Sequence, residues 1–327
     1  MDLSKETLLE MYWRMLLSRR LDERAWELHK TREIGFHHSS IGHEATQVAA
    51  AYAIDRKRDW VAPYYRDLAL VLTLGLSPRG FVLGLMGKAD EPASGGRQMP
   101  SMWSLRSLNI LSISPVAAAQ IPQAVGVALG IQRSGEERIV LASCGEGAAS
   151  AGEWAEAVNW AAVQRLPVVF LIQNNRLALS TPLEAQIAVA SPADKARGLG
   201  LPGVAVDGLD LQAVYRAVKE ASDRARNGGG PALVEARTWR ITPHSTDDDD
   251  RLYRSQGEVE KARMRDPVHL ARAALESSGA LSPHTQAHME NRAFEIVEDA
   301  VAFARNAPDA HPEAGARPVY AEDVRIG

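Results

Sequence analysis

The sequence predicts an α/β fold, a doubly wound, mostly parallel sheet flanked by helices, with a helical lead-in before it and a helical extension after it. Three observations carry this expectation. First, from about Ala117 onward short runs that are apolar throughout, RIVLASC (138–144), PVVFLIQ (167–173), GVAVDG (203–208) and PALVEARTWR (231–240), alternate with longer stretches of helical character. That is the pattern of parallel strands buried on both faces and joined by crossover helices. Second, the 327 residues suffice for one large or two modest domains at roughly 150 residues each. Third, no run approaches the roughly 18 consecutive apolar residues of a membrane-spanning helix.

Taken in order, residues 4–31 place Leu8, Leu9, Tyr12, Met15, Leu16 and Leu21 between charges at helical spacing, which predicts an amphipathic lead-in helix. Between Gly35 and Gly87, the apolar stretches ATQVAAAYAI (45–54) and DLALVLTLGL (67–76) are separated by loop signals at Gly42, Pro63 and Ser77-Pro78. Residues 84–100 are rich in Gly, Pro and Ala and predict a mobile surface loop. Beyond the alternating region comes the loop ITPHSTDDDDRLYRS (241–255), whose aspartates fit a solvated run, then helical stretches near 257–306 and a Pro-containing tail. We expect residues 1–270 to form the α/β domain with its leading helices and residues 271–327 the extension.

Composition narrows the function. Lys plus Arg number 37 against 41 Asp plus Glu, a net charge of −4, so nucleic acid and acidic membrane surfaces are not expected partners. The single cysteine, Cys144, excludes an internal disulfide and a structural zinc site, and a small buried residue is its expected state. The first residues lack the unbroken apolar core of a signal peptide, so a cytoplasmic location is expected.

The chemistry gathers at two strand ends. The run RIVLASC passes into Gly145-Glu146-Gly147-Ala148, and PVVFLIQ ends in Asn174-Asn175. In open parallel sheets, ligands sit outside the carboxyl ends of the strands, where loops and helix N-termini offer N–H groups to phosphate. Glycines at 145 and 147 permit close backbone approach, yet Glu146 would bring a carboxylate beside that phosphate. A bridging cation resolves the conflict. Twenty-nine residues separate Glu146 from Asn175, the span of one crossover helix of about 21 Å plus the next strand, so a right-handed crossover sets the two side by side. A carboxylate oxygen, an amide oxygen and a nearby main-chain carbonyl suit Mg²⁺ that also takes diphosphate oxygens. Alone, either short motif would be an ordinary turn; the interval joins them. A nicotinamide-binding turn is disfavoured, because position 150 is Ser and the next strand ends in Gln-Asn-Asn rather than a ribose-binding acid.

The Gly-acid-Gly turn followed at this interval by Asn-Asn is similar to the thiamine-diphosphate motif, and six further motifs in order extend the likeness over nearly the whole chain. They are Gly35-Phe36-His37-His38, Gly42-His43-Glu44-Ala45, Tyr64-Tyr65-Arg66-Asp67, Gly96-Arg97-Gln98-Met99-Pro100, Gln120 to Gly126, and Pro243-His244-Ser245-Thr246-Asp247-Asp248. The chain resembles the α subunit of the decarboxylating component of 2-oxoacid dehydrogenases, with branched-chain members most similar. The resemblance implies that Glu146, Asn175 and the Leu177 carbonyl ligate Mg²⁺, and that Arg66 and His244 contact the diphosphate with Tyr65, Gly145, Gly147 and Ala148 near by. It also implies that Ser114, Pro115 and Ala117 meet the aminopyrimidine through the backbone. Leu177 stands where the family usually has an aromatic, and Ala119 where potassium-binding relatives have Thr. His38 matches a histidine of the pyruvate and acetoin members, and Ser245 and Ser255 match serines that animal members phosphorylate.

The implied activity is thiamine-diphosphate-dependent oxidative decarboxylation of a branched-chain 2-oxoacid with reductive acylation of lipoamide, with pyruvate or acetoin as the alternative and a non-catalytic scaffold subunit as the reading from another class. His244 and His38 are the candidate catalytic residues, with His244 expected to titrate near neutrality and steer protons. The family carries the glutamate that activates the cofactor on a second, pyrimidine-binding domain, and this chain shows one parallel-sheet domain. The resemblance therefore implies a β subunit in an α₂β₂ assembly and a lipoyl acyltransferase as downstream partner. The loops at 84–100 and 242–256 are expected to order on binding cofactor.

Overall fold

The computed structural model describes residues 3–316; the end of the tail lies outside them. Helix α1 (Lys5–Lys30) starts at Ser4, whose hydroxyl accepts from the Thr7 N–H at 3.2 Å, an N-cap that satisfies one of the free donors of the first turn. Its apolar stripe, Met11, Tyr12, Met15, Leu16, Leu21 and Leu28, is buried. Then follow α2 (Glu44–Ala53), strand β1 (Trp60–Ala62), α3 (Leu68–Leu74) and α4 (Pro78–Leu85). The predicted alternation begins with α5 (Gln120–Ser134), β2 (Val140–Gly145), α6 (Gly152–Gln164) and β3 (Val168–Asn174). After β3 come a small hairpin, β4 (Leu177–Ala178) and β5 (Thr181–Pro182), and the short helices α7 (Leu183–Gln186) and α8 (Asp194–Gly198). The alternation closes with β6 (Gly203–Asp207), α9 (Leu211–Arg226) and β7 (Ala232–Arg237). Helices α10 (Gln256–Met264), α11 (Pro267–Ser277) and α12 (Pro283–Asn306) follow, and a short 3-10 turn, Pro312–Ala316, ends the described chain.

Five strands form one sheet in the order β1-β2-β3-β7-β6, every pair parallel. The central strands β2 and β3 are apolar almost throughout because both faces are covered, whereas the edge strand β6 is partly exposed, with Val204 at 44%; the two-residue period divides the central strands cleanly. Leu141, Val169, Leu171 and Val234 face a core built with α1, α2, α3, α9 and the C-terminal helices. Val140, Ala142, Val168, Phe170 and Ile172 face a second core built with α5, α6 and α8. Chain order runs β1, β2, β3, then to the far edge at β6 and back to β7, so the carboxyl ends of β2, β3 and β7 lie adjacent. In register, Gly145 pairs with Gln173 and Asn174 with Arg237. Helices α11 and α12 pack on α1 and share its core, and a buried triad ties them down: Arg19 of α1 binds Glu44 at 2.7 Å and Asp266, the N-cap of α11, at 2.7 Å.

Three features depart from the sequence reading. Strand β1 and the β4–β5 hairpin are too short to show a period. The stretch expected to be a mobile loop begins inside α4, and its turns are knitted by Glu91, which accepts from the N–H groups of Ala93 and Ser94 at 2.8 and 2.6 Å. The aspartate run is not merely solvated: Asp248 accepts from the His244 N–H at 2.7 Å and from the Tyr253 hydroxyl, and Asp250 pairs with Arg254 at 3.1 Å.

Candidate active site

A cleft of about 650 Å³ opens at the carboxyl ends of β2 and β3. Its floor is the turn after β2, Gly145, Glu146, Gly147 and Ala148, and the turn after β3, Asn175 and Leu177. Tyr65 and Arg66, from the segment between β1 and α3, form one wall with His38; His244 closes it from the loop after β7. Ser114, Pro115 and Ala117, just before α5, line its open side. Every site residue named from the sequence thus borders one cavity, and the parallel topology is the cause, since it brings loops distant in sequence to one sheet edge.

Glu146 is 2% exposed and its Oε2 accepts from the Asn175 N–H at 3.2 Å, the adjacency expected of the crossover. Burial pushes its carboxyl pKa up, while main-chain donors, Arg240 and Arg66 pull the other way. A largely desolvated carboxylate of this kind is a strong acceptor for a cation. The Asn175 side-chain oxygen accepts from the Leu177 N–H at 3.1 Å, and an amide oxygen has a second lone pair to offer. The Leu177 carbonyl faces Arg240 Nη1 at 3.4 Å. Gly147 has a packing reason to be glycine: a Cβ there would lie 2.6 Å from the Ala178 Cβ of the hairpin.

Arg66 is 2% exposed, donates to the carbonyl of Ser39 and lies over the Tyr65 ring, 5.5 Å from its centroid. Its Nη2 contacts His244 Nδ1 at 3.3 Å, with Arg240 Nη1 3.5 Å from the same atom. A guanidinium can only donate, so Nδ1 accepts and the imidazole proton sits on Nε2. This corrects the expectation of near-neutral titration: desolvation, then Arg66 and Arg240, hold His244 down to about 3, and it is a neutral donor here. His38 stacks on Tyr65 at 4.2 Å and meets His244 edge-on at 5.4 Å; desolvation, then Arg66, push it to about 2. Cys144 is buried, with desolvation foremost raising its thiol to about 12, so it is no nucleophile.

Sequence reasoning missed several participants. Arg240 supplies a second buried guanidinium but stands inside what reads as a strand. Tyr64, Phe36, Met99, Met102 and Leu179 give the cleft an apolar wall; three of them sat in quoted motifs without a role. Asp67, fully buried and raised to about 7 chiefly by desolvation, lies beneath the cleft next to Gln173. Only the run Tyr64-Tyr65-Arg66-Asp67 hinted at it.

A parallel sheet with a buried carboxylate and an amide at adjoining strand ends, faced by the Arg66 guanidinium across a cleft, is the build of an α/β cofactor enzyme. Residues 12–313 match the family model described as the dehydrogenase E1 component, and the chain belongs to that family. The 2-oxoisovalerate dehydrogenase subunit alpha of Bacillus subtilis (strain 168) is 42% identical over 322 residues, 98% of each chain. The 3-methyl-2-oxobutanoate dehydrogenase subunit alpha of Mycobacterium tuberculosis (strain CDC 1551 / Oshkosh) is 38% identical over 98% of this chain and 84% of its own. The pyruvate dehydrogenase E1 component subunit alpha of Bacillus subtilis (strain 168) is 37% identical over 95% of this chain and 80% of its own.

Proposed function

We propose that this protein is the α subunit of a branched-chain 2-oxoacid dehydrogenase, binding thiamine diphosphate through Mg²⁺ and acting with a β subunit in an α₂β₂ assembly that acylates a lipoyl acyltransferase. The observation that carries the reading is the convergence of Glu146, Asn175, Arg66 and His244 on one cleft, in a chain whose similarity to 2-oxoisovalerate dehydrogenase subunit alpha spans 98% of both sequences. Glu146, the Asn175 amide oxygen and the Leu177 carbonyl would hold the metal, a hard-oxygen set. Arg66 fits the diphosphate because its charge is permanent and its fork planar, and His244 adds a neutral Nε2–H donor. Gly145, Gly147 and Ala148 offer main-chain approach, Tyr65 flanks Arg66, and the segment Ser114, Pro115 and Ala117 would meet the aminopyrimidine. Bound thiamine diphosphate supplies the electron sink for decarboxylation.

The chain's own part is positioning and exclusion of water. Phe36, Met99, Met102 and Leu179 offer an apolar wall suited to an aliphatic 2-oxoacid. Met99, Val116 and Leu179 are 50%, 62% and 53% exposed at its mouth, which supports a partner chain covering it. Among the described residues no helix is long and apolar enough to cross a membrane; a cytoplasmic location belongs to the proposed reading. Residues 1–270 would form the cofactor-binding unit and 271–327 its extension. The second reading, a pyruvate or acetoin substrate, is favoured by His38 in the cleft wall. Turnover of 3-methyl-2-oxobutanoate against pyruvate, measured with the β subunit and acyltransferase present, tests the choice. Higher kcat/KM for the branched acid is expected; the reverse order selects the second reading, and no turnover of either by a folded, cofactor-bound complex supports the scaffold alternative.

A further inference from the structure

Beneath the cleft lies a row of buried side chains whose donor and acceptor identities are all determined. Gln47, Gln173 and His43 are each 0% exposed, and none of them lines the cavity. The row starts from main-chain atoms, which leave no ambiguity. Gln47 Nε2 donates to the Arg66 carbonyl at 2.9 Å, and the Ala69 N–H donates to Gln47 Oε1 at 3.0 Å, so this amide has one orientation. Gln47 Nε2 also donates to Gln173 Oε1 at 3.1 Å. Gln173 therefore turns its oxygen this way and its nitrogen toward Asp67 Oδ1 at 2.5 Å and Ser143 Oγ at 2.9 Å.

His43 Nδ1 meets the same Gln173 oxygen at 3.0 Å, with Thr238 Oγ1 a more distant neighbour at 3.5 Å. An oxygen that only accepts requires the imidazole proton on Nδ1. Nε2 is then a bare lone pair, and the group facing it, across a long contact of 3.5 Å, is the Asn175 amide nitrogen. From the opposite end, the Leu177 N–H donates to Asn175 Oδ1 at 3.1 Å. Two independent main-chain anchors thus give one consistent assignment. His43 occupies the N-cap position of α2 yet makes no capping hydrogen bond, so its ring is not needed to start its own helix.

We propose that His43 is a positioning residue for the metal and diphosphate site: its Nδ1-protonated ring holds the Asn175 amide nitrogen and so keeps Asn175 Oδ1 as the atom offered, with Glu146, to a divalent cation. The inference rests on the cation reading given above. An amide turned the other way would present a partly positive nitrogen and repel the ion. Outer-shell partners of this sort orient ligands of metal sites, and their loss costs about 10–100-fold in metal affinity.

The test is calorimetric titration of Mg²⁺ into the complex with the β subunit at saturating thiamine diphosphate, comparing wild type, His43→Leu and His43→Gln. Leucine removes the acceptor; glutamine can place an oxygen where Nε2 stood. A loss of about 10-fold or more in His43→Leu, substantially restored in His43→Gln, is expected, while inorganic pyrophosphate without metal, bound through Arg66, retains its affinity in both. Equal Mg²⁺ affinity in all three proteins, or equal loss in both variants, overturns the proposal. A ¹⁵N spectrum of the wild-type ring decides the tautomer directly: an Nδ1–H imidazole supports the proposal and an Nε2–H one overturns it. Failure of the wild type itself to bind Mg²⁺ and cofactor would instead strike the function proposed above, with the tautomer still read independently.

Discussion

His244 sits between two guanidinium groups, with Nδ1 3.3 Å from Arg66 and 3.5 Å from Arg240, and its low pKa of about 3 has desolvation as its first cause and those two charges next. A diphosphate bound against Arg66 offsets part of the positive field, so its arrival should raise the His244 pKa from about 3, with burial still holding it below the ordinary 6.5. Pyrophosphate titrations in buffers of different ionisation enthalpy should therefore show proton uptake that grows as pH falls, lost in His244→Asn; no uptake would contradict the field argument. The buried histidines also set the acid limit of the fold. His38, His43 and His244 are depressed to about 2, 3 and 3, so between roughly pH 6.5 and 4 the unfolded chain gains three protons that the folded chain refuses. Asp67, raised to about 7, and Glu44 and Glu146, also raised, act oppositely, because the folded state retains their protons where the unfolded chain loses them. The histidines, held furthest from their ordinary value, dominate between about pH 6.5 and 5, so stability falls as pH drops there, by about 1.4 kcal/mol per pH unit for each net proton. The urea midpoint should be lower at pH 5 than at pH 7; an equal or higher midpoint would refute this balance. These shifts were invisible in the sequence, which shows a histidine but not the arginines folded against it.

At the scale of elements, the turn after β2 and the β4–β5 hairpin form a mutually fitted pair. Gly147 is possible only where no Cβ is asked for, 2.6 Å from Ala178. Gly147→Ala should push the hairpin away, destabilising the chain by about 1–3 kcal/mol, the usual cost of overpacking, and weakening cofactor binding by displacing Leu177. A crystal structure of the variant with the hairpin unmoved and Mg²⁺ affinity intact would sink this. The sequence showed the glycine as a permissive turn residue; the facing hairpin, with arms of two residues each, had no pattern to announce it. By contrast β2, β3, β7 and the helices α5, α6 and α9 were legible, because strands buried on both faces read as apolar runs and α9 keeps its buried residues at helical spacing, while β6, a partly exposed edge strand, was legible from its short β-branched run alone. The loop after β7 was legible in place and not in character: only the fold reveals that Asp248 holds the His244 N–H at 2.7 Å.

At the scale of the whole molecule, the proposed function makes the single parallel sheet the bearer of half of a catalytic centre. Its cleft gathers groups suited to a metal and a diphosphate, and its mouth exposes Met99, Val116 and Leu179, the surface expected to meet a β subunit. The chain alone should show no decarboxylation, and adding the β subunit should produce it; activity of the isolated chain would contradict the division of labour. The interval from Glu146 to Asn175 made the adjacency of these two residues readable in advance, since parallel topology converts a fixed spacing in sequence into adjacency at the sheet edge. The most direct measurement is calorimetric titration of thiamine diphosphate into the assembled complex, with and without Mg²⁺, for wild type and Glu146→Ala. Metal-dependent binding that the substitution abolishes is the predicted result; binding indifferent to both Mg²⁺ and Glu146 would contradict the account.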